Sequence, residues 1–238
     1  MSFSPDINNS ELINQKAPDP LAPMPAEFPD QPGAWLEYAH GMASHARRVQ
    51  PRVVFLGDSI TNGWLGYGLG DWRSRFMPLP AANLGIGGDR TQNVLWRIAD
   101  GSLDGISPEL VVLLIGVNNL WSEVHDWSTQ RVSEGVAAIV SAIRQKCPET
   151  KVLVLGVLPT GHDAADPLRV LVSGVNAHTA ATVPTDDGKV EYLDIGGKFV
   201  MSDNSISEAI MPDGCHLSSE GYRIFAEAIE PSIRRLLA

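Results

Sequence analysis

The chain is poor in cysteine, in basic residues and in long apolar runs. Its 238 residues include two cysteines, Cys147 and Cys215, and neither lies in a CxxC or other metal-ligand spacing, which argues against a disulfide framework or a metal site. No apolar stretch reaches the roughly 18 residues of a membrane-spanning helix. The formal net charge of −10 argues against a surface for nucleic acid or an anionic membrane. Small neutral molecules and other proteins are therefore the expected partners.

The N-terminal segment has little of what a signal peptide requires. MSFSPDINNSELINQKAPDP carries acidic and amide residues where a signal peptide has a basic start and an apolar core. We therefore expect a cytoplasmic protein, unless a signal peptide has been removed. The stretch PDPLAPMPAEFPDQP contains six prolines, so residues 1–32 are predicted to be an arm without regular structure that wraps the surface or stays mobile.

Apolar periodicity beyond the arm indicates one α/β domain. From Trp35 to Val49 apolar residues recur every three to four positions, which predicts a leader helix that serves as scaffold. The runs LVVLLI and KVLVLGVL are continuous, as is typical of parallel strands covered on both faces. Strands are predicted at 52–56, 82–86, 110–115, 151–158 and 190–195, and further helices at 91–99, 129–146, 168–182 and 219–236. This alternation predicts a five-stranded, parallel, doubly wound sheet.

Ligands of such sheets bind beyond the carboxyl ends of the strands, which directs attention to the loops that follow them. These loops begin GDSITNGW, GIGGDRT, GVNNLW, PTGHD and MPDGCHLS. Ser59 is placed either as a nucleophile or as a helix cap. The glycine turn from Gly85 and the amide of Asn118 are candidate donors to an oxyanion. The same turn suits a phosphate, but it lacks the full GxGxxG spacing and the chain has no GxxxxGK[ST].

A serine nucleophile needs a base and an acid that orients the base. Among six histidines, His216 stands out because Asp213 precedes it by three residues, and this spacing lets the carboxylate fold back onto the imidazole Nδ1–H. The alternative makes Asp213 a turn former and His216 a helix-start residue. The other histidines are expected on helices, as surface or packing residues, or in loops at the same edge: His40, His45 and His178 on helices, His125 and His162 in loops.

Four sequence blocks, taken in order, resemble the SGNH (GDSL) hydrolase superfamily. They are Gly57-Asp58-Ser59, Gly88, Gly116-x-Asn118 and Asp213-x-x-His216. The strings NLGIGGDRTQNVLWRI, GVNNL and VLVLGVLPTG are similar to the branch of intracellular platelet-activating-factor acetylhydrolases and their bacterial relatives. The resemblance runs from about residue 53 to the C-terminus. It implies a flavodoxin-like three-layer α/β/α sandwich, with residues 33–238 as the catalytic domain.

The resemblance also implies a serine esterase that needs no metal or organic cofactor. Ser59 would be the nucleophile, His216 the general base and Asp213 its orienter. The oxyanion hole would combine the backbone N–H groups of Ser59 and Gly88 with the side-chain amide of Asn118. The sequence departs from the wider superfamily in two places: the nucleophile lies in GDSI rather than GDSL, and Asn119 stands where much of the superfamily has Asp. The acetylhydrolase-like branch shares the Asn-Asn pair.

Residues next to the catalytic ones suggest the substrate. The apolar neighbours Ile60, Val117 and Cys215 predict a short pocket that favours an acetyl group, and the small residues around Ser59 are interpreted as leaving room for it. Three tryptophans in or near the same loops suit stacking on a sugar or packing in the core: Trp64, Trp121 and Trp127. A carbohydrate O-acetyl ester is therefore the favoured small-molecule substrate, and a phospholipid acetyl ester is the alternative.

Other interpretations belong to different classes of protein. A catalytically silent binding module on the same fold is one, and a nucleotide or phosphate binder that uses GIGGDRT is another. Cys215 is expected to be a small buried apolar residue rather than a nucleophile. Arg90 and Arg97 are expected to be solvated or paired with carboxylates, the alternative being contact with an anionic leaving group. The resemblance implies a homodimer, although the sequence shows no decisive exposed apolar face.

Overall fold

A sheet of five parallel strands lies at the centre of the computed structural model, which describes residues 19–121, 128–183 and 187–238. The strands are β1 (Val53–Gly57), β2 (Ala81–Gly85), β3 (Leu110–Leu114), β4 (Lys151–Leu155) and β5 (Val190–Leu193). Their spatial order is β2-β1-β3-β4-β5. This is the flavodoxin-like order, so the predicted parallel, doubly wound sheet is confirmed.

The register of the sheet brings the strand ends level. Gly57, the last residue of β1, pairs with Gly85 at the end of β2 and with Leu114 at the end of β3. Every residue of β1 and β3 is buried, which explains why their sequences are continuous apolar runs instead of alternating ones. The loops after these three strands therefore leave the same edge of the sheet as neighbours.

Helices cover both faces of the sheet. The long ones are α1 (Ala34–Val49), α4 (Thr91–Ala99), α6 (Thr129–Lys146), α7 (Pro167–Thr182) and α8 (Ser219–Leu236). Apolar residues of α1, α4 and α6 pack on one face of the sheet, α8 packs on the other, and α7 lies along α6. The predicted long helices are confirmed with nearly the predicted bounds.

Short helical turns near the sheet edges escape prediction because three to five residues are too few to show a period. They are α2 (Ser59–Asn62), α3 (Leu69–Asp71), α5 (Val117–Leu120), the 3₁₀ turns Gly63–Leu65 and Gly196–Lys198, and a π-helical turn Trp72–Phe76. The predicted fourth strand was too long at its end, since β4 stops at Leu155. No helix in the described ranges is long and apolar enough to cross a membrane.

The described part of the N-terminal arm lies on the ends of α4 and α6. The Thr91 hydroxyl donates to the Pro20 carbonyl at 2.9 Å, and the backbone N–H of Met24 donates to the Gln92 carbonyl at 3.2 Å. At α6, the Arg131 side chain donates to the Asp19 carboxylate at 3.0 Å. These bonds fix residues 19–24 against the domain. Residues 1–18 of the predicted arm lie outside the described ranges, and its boundary at residue 32 stays a prediction.

Replacing Gly57 with alanine tests how tightly the start of the first loop is packed. A Cβ atom there overlaps the Leu114 carbonyl oxygen and the Thr61 hydroxyl, so we expect the Gly57→Ala variant to lose about 1–3 kcal/mol of unfolding free energy. Gly41→Ala in α1 is the matched control, because its Cβ meets no atom within 4 Å and a helix interior favours alanine by about 0.5–1 kcal/mol. Urea unfolding measures both variants. Equal stability of the two would contradict the packing described here.

Candidate active site

Ser59 begins a short helix directly beyond β1. It is the first residue of α2, and the Asp58 carboxylate caps that helix by accepting the Ile60 N–H at 3.0 Å. From the other side, the Tyr222 hydroxyl of α8 donates to the Ile60 carbonyl at 2.7 Å. The serine is therefore held between a buried strand and α8 and faces the carboxyl edge of the sheet.

Three glycines near Ser59 permit close packing, whereas a Cβ on Gly87 would meet only the Ser59 Cβ at 3.8 Å and one on Gly88 would meet no atom within 4 Å. The interpretation that small residues leave room for an acyl group therefore stays a prediction. A Cβ on Gly57 overlaps Thr61, a Cβ on Gly63 overlaps the Tyr222 hydroxyl, and a Cβ on Gly85 overlaps the backbone of α2. Close approach of backbone to its neighbours is a regular use of glycine. The absence of a Cβ at these glycines thus lets α2 pack closely against β2, β3 and α8.

A continuous hydrogen-bonded chain links Ser59 to a histidine and an aspartate. The Ser59 Oγ lies 2.9 Å from His216 Nε2, and His216 Nδ1 lies 2.7 Å from Asp213 Oδ2. The other oxygen, Asp213 Oδ1, accepts the backbone N–H groups of Cys215 at 2.9 Å and His216 at 2.7 Å. The local turn therefore folds the carboxylate back onto the imidazole, as the three-residue spacing predicts.

The Asp213 carboxylate keeps its charge at neutral pH. Partial burial by itself raises the pKa of Asp213, but hydrogen bonds from the His216 side chain and from the His216 and Cys215 N–H groups outweigh it and bring the pKa down to about 2. The side chains of Asp213 and His216 are about half exposed. A charged acceptor at Nδ1 fixes the imidazole so that Nε2 faces the serine as a proton acceptor.

Besides the Ser59 N–H, the predicted oxyanion donors lie on the loops that follow β2 and β3. A turn closed by the Asp89 N–H to the Ile86 carbonyl at 3.2 Å holds Gly88 at φ +80°, a conformation that favours glycine. Among the described residues, the backbone N–H groups of Ser59 and Gly88 have no protein acceptor. The Asn118 side chain gives one N–H to the Asp89 carbonyl at 2.9 Å and has a second to offer. Three donors thus remain for a ligand.

Asn119 turns away from Ser59 and caps α4. Its Oδ1 accepts the Thr91 N–H at 3.0 Å, and its Nδ2 donates to Gln92 Oε1 at 3.1 Å. An ionised aspartate accepts hydrogen bonds and donates none, so the second bond requires the amide. The departure from Asp at this position therefore has a local structural reason, which the one-dimensional sequence does not show.

Of the four predicted substrate-binding residues, Trp64 lies in the core, and the prediction that it contacts the substrate is wrong. Its side chain is 1% exposed and packs among the rings of Phe55, Phe76, Tyr222 and Phe225 at centroid distances of 4.7–6.2 Å. No face is left for stacking on a sugar, because the aromatic core covers it. Ile60, Val117 and Cys215 are also buried, and their part in an acyl pocket stays a prediction.

None of the other aromatic and histidine candidates that the structure describes forms a hydrogen bond with Ser59, His216 or Asp213. Trp121 follows α5 and is half exposed, whereas Trp127 and His125 lie outside the described residues. The loop residue His162 pairs its Nδ1 with the Ile206 carbonyl at 3.0 Å, and His40 on α1 pairs with Asp100 at 2.7 Å. Of the described histidines, His216 alone forms a hydrogen bond with Ser59.

Asp58, the residue before Ser59, is a buried acid. Neither its burial nor its raised pKa was predicted from the sequence. Burial raises its pKa to about 7, the nearby Asp89 charge adds to this rise, and the Ile60 N–H and His216 oppose it. An unfolded aspartate loses its proton near pH 4. The folded chain therefore holds a proton that the unfolded chain lacks between about pH 4 and 7, and this group costs stability as the pH rises through that window.

The two cysteines provide a test of the buried environment. Burial raises the pKa of Cys215 to about 12, with Asp58 and Asp213 adding to the rise, and burial also raises the pKa of Cys147. Because the thiolate is the reactive form, we expect neither thiol to react with a disulfide reagent such as dithiobis(nitrobenzoate) at pH 8 while the protein is folded. The protein in denaturant serves as control and should titrate both. A fast thiol in the folded protein that persists in a Cys147→Ser variant would reopen Cys215 as a nucleophile.

Curated relatives match almost the whole chain. It is 37% identical over 216 residues to platelet-activating factor acetylhydrolase IB subunit alpha1 from Homo sapiens, a match that covers 91% of this chain and 90% of the relative. It is 36% identical over 203 residues to the alpha2 subunit from Rattus norvegicus, with 85% of each chain covered.

Solved structures share the fold. A GDSL-like lipase from Bacteroides thetaiotaomicron superposes with a TM-score of 0.68 at 22% identity, covering 84% of this chain and 97% of that one. A catalytic mutant of an acetylxylan esterase from Geobacillus stearothermophilus gives 0.60 at 17% identity, covering 77% and 93%. The model of the GDSL-like lipase/acylhydrolase family matches residues 55–224. Together with the relatives above, this match shows that the chain belongs to the GDSL-like lipase/acylhydrolase family and is a serine ester hydrolase.

Proposed function

We propose that this chain hydrolyses short, acetyl-type carboxylic esters through an acyl-enzyme intermediate on Ser59. The observation that carries the proposal is the chain of two short hydrogen bonds from Ser59 Oγ through His216 to Asp213. Nucleophile, base and orienting acid within hydrogen-bond reach of one another are the signature of covalent acyl transfer.

The first half of the reaction transfers the acyl group to the enzyme. His216 Nε2 takes the proton of Ser59 as Oγ bonds to the ester carbonyl carbon, and the carbonyl electrons move onto the oxygen. The Asp213 carboxylate stabilises the imidazolium that results. The N–H groups of Ser59 and Gly88 and the Asn118 amide receive the oxyanion, and each such donor is worth on the order of 10²-fold in rate. The carbon–oxygen bond to the alcohol then breaks, and His216 gives the proton to the departing oxygen.

The second half releases the acid. Water gives a proton to His216 Nε2 and attacks the acyl carbon, and the tetrahedral adduct forms again against the same donors. Its collapse returns Ser59 to its hydroxyl form as the proton leaves His216, and the carboxylic acid departs. The exposed position of His216 and Asp213 gives water direct access to the acyl-enzyme.

The acyl side of the site favours a small group. Ile60, Val117 and Cys215 each follow or precede a proposed catalytic residue, and all three are buried apolar side chains fixed in the core. Side chains packed this tightly do not move aside easily, so a pocket that they line has little room for a long acyl chain. The curated relatives are named acetylhydrolases, which supports the same choice of acyl group.

Two leaving groups are candidates. For a carbohydrate alcohol, Trp121 is the exposed residue among the tryptophan candidates that the structure describes, and it offers a stacking surface. A phospholipid alcohol is favoured by the 37% identity to a relative named for platelet-activating factor. Initial rates on an acetylated xylo-oligosaccharide and on platelet-activating factor, compared at equal concentration, decide between them.

The homodimer implied by the sequence resemblance stays a prediction that sedimentation velocity tests.

Removing the proposed nucleophile tests the function directly. We expect Ser59→Ala to lower the rate of p-nitrophenyl acetate hydrolysis by about 10³-fold or more, and Asp213→Asn by about 10²–10⁴-fold because the imidazole loses its charged partner. Ser141→Ala, an exposed serine on α6 bonded to its own helix, is the control and should retain full activity. Circular dichroism checks the fold of each variant. Equal rates in wild type and Ser59→Ala would rule out the proposal.

The length of the acyl chain provides a second test. We expect kcat/KM for p-nitrophenyl acetate to exceed that for the octanoate by about tenfold or more, because a packed pocket excludes the longer chain. Val117→Ala should raise the octanoate-to-acetate ratio, while Val170→Ala, an exposed position on α7, should leave it unchanged. Faster turnover of octanoate by the wild type would contradict the short pocket.

A further inference from the structure

Three buried side chains meet behind the glycine turn that faces Ser59. The Trp35 Nε1–H donates to Asp89 Oδ1 at 2.8 Å, and the Arg97 guanidinium forms an ion pair with Asp89 Oδ2 at 2.6 Å. All three residues are at most 2% exposed. We call Trp35, Asp89 and Arg97 the clamp. Asp89 directly follows Gly88, so the clamp grips the residue next to a proposed oxyanion donor.

The arginine of the clamp also binds the two strands that lead into the site. Its Nη1 donates to the Leu84 carbonyl at 2.8 Å, and its Nη2 donates to the Gly57 carbonyl at 3.2 Å. These carbonyls lie at the ends of β2 and β1, immediately before the turn with Gly88 and the turn with Ser59. A planar guanidinium with donors in fixed directions is suited to hold several acceptors in one geometry. Because Arg97 is 2% exposed and paired with Asp89, it is not accessible to an anionic leaving group.

The backbone of Asp89 extends the clamp to the third loop. Its carbonyl accepts the Asn118 Nδ2–H at 2.9 Å, and its N–H donates to the Ile86 carbonyl at 3.2 Å to close the turn. One residue thus has its side chain anchored in the core while its two backbone groups fix the turn and orient the Asn118 amide. Gly88 and Asn118 are tied to each other through Asp89.

Stability alone gives a weak reason for such a clamp. Burying a carboxylate and a guanidinium costs both their hydration, and well-packed apolar residues often serve stability equally well. Burial raises the pKa of Asp89, and the Arg97 charge and the Trp35 N–H oppose that rise. What the ion pair provides, and an apolar cluster does not, is a fixed direction for the peptide groups around it.

We propose that Asp89 is a positioning residue of the oxyanion hole: Trp35 and Arg97 lock its side chain, and Asp89 in turn sets the Gly88 N–H and the Asn118 amide in one geometry. The proposal rests on the proposed esterase function. It gives the leader helix, expected from sequence to be scaffold, a part in catalysis through Trp35. Donors that are placed in advance lower the barrier because they need no reorganisation as the charge develops, and small displacements are costly.

Trp35→Phe tests the proposal because it removes the indole N–H and keeps an aromatic ring. We expect kcat on p-nitrophenyl acetate to fall by about 3- to 30-fold with KM within about twofold, since the donors act on the transition state. Trp96→Phe is the matched control: its ring packs on Trp35 at 5.4 Å and makes no hydrogen bond within the described residues. It should keep kcat within about twofold. Arg97→Lys, which retains the charge and loses the planar fork, should repeat the loss of kcat.

Combining the variants shows whether the effect passes through the oxyanion hole. In an Asn118→Ala background, Trp35→Phe should lower kcat by a clearly smaller factor than in the wild type, because coupled residues are non-additive. Purely additive losses, unchanged kcat in both Trp35→Phe and Arg97→Lys, or losses in Trp96→Phe as large as those in Trp35→Phe would each overturn the positioning role while leaving the esterase intact. A wild type without Ser59-dependent turnover would overturn both proposals. Thermal melting identifies a variant that unfolds, and the other clamp variant then decides.

Discussion

The parallel pairing of β1 with β2 on one side and β3 on the other determines where the proposed nucleophile and oxyanion donors can lie. Gly57 is level with both Gly85 and Leu114, so three loops leave the sheet side by side and carry Ser59, Gly88 and Asn118 with them. The close packing at Gly57 and Gly85 holds α2 in a fixed position against β2 and β3. In an open α/β sheet this edge is the place where separate loops converge on a ligand.

The proposed catalytic groups and the groups that support them have opposite environments in this protein. His216 and Asp213 are half exposed and are held by a local turn, so they are open to solvent. Behind them Asp58, Asp89 and Arg97 are buried, where charges are expensive and their geometry is rigid. A site of this design keeps solvent access for hydrolysis and places its rigidity in the layer beneath.

The relationship to acetylhydrolases and the structure of the site agree on the chemistry and leave the alcohol open. The family supplies ester hydrolysis, and the small acyl group proposed above rests on the buried side chains next to the proposed catalytic residues. The aromatic residue that suggested a sugar, Trp64, lies instead in a cluster of rings that joins α8 to β1. The same tryptophan therefore contributes to the position of Ser59 through packing rather than through substrate contact.

The sequence alone determined the succession of strands and long helices along the chain, because continuous apolar runs and helical periods are local patterns. It also predicted the hydrogen-bonded arrangement of Ser59, His216 and Asp213, because a three-residue turn and motifs in a fixed order are readable in one dimension, while the catalytic roles of these residues stay predictions. It misjudged Trp64, and it did not foresee the close packing at Gly57, Gly63 and Gly85 or the clamp. Burial of an aromatic ring, overlap with a Cβ atom and an ion pair between Asp89 and Arg97 are properties of segments that meet only after folding. The tertiary structure decided them because packing, desolvation and hydrogen-bond direction depend on neighbours that are distant along the chain.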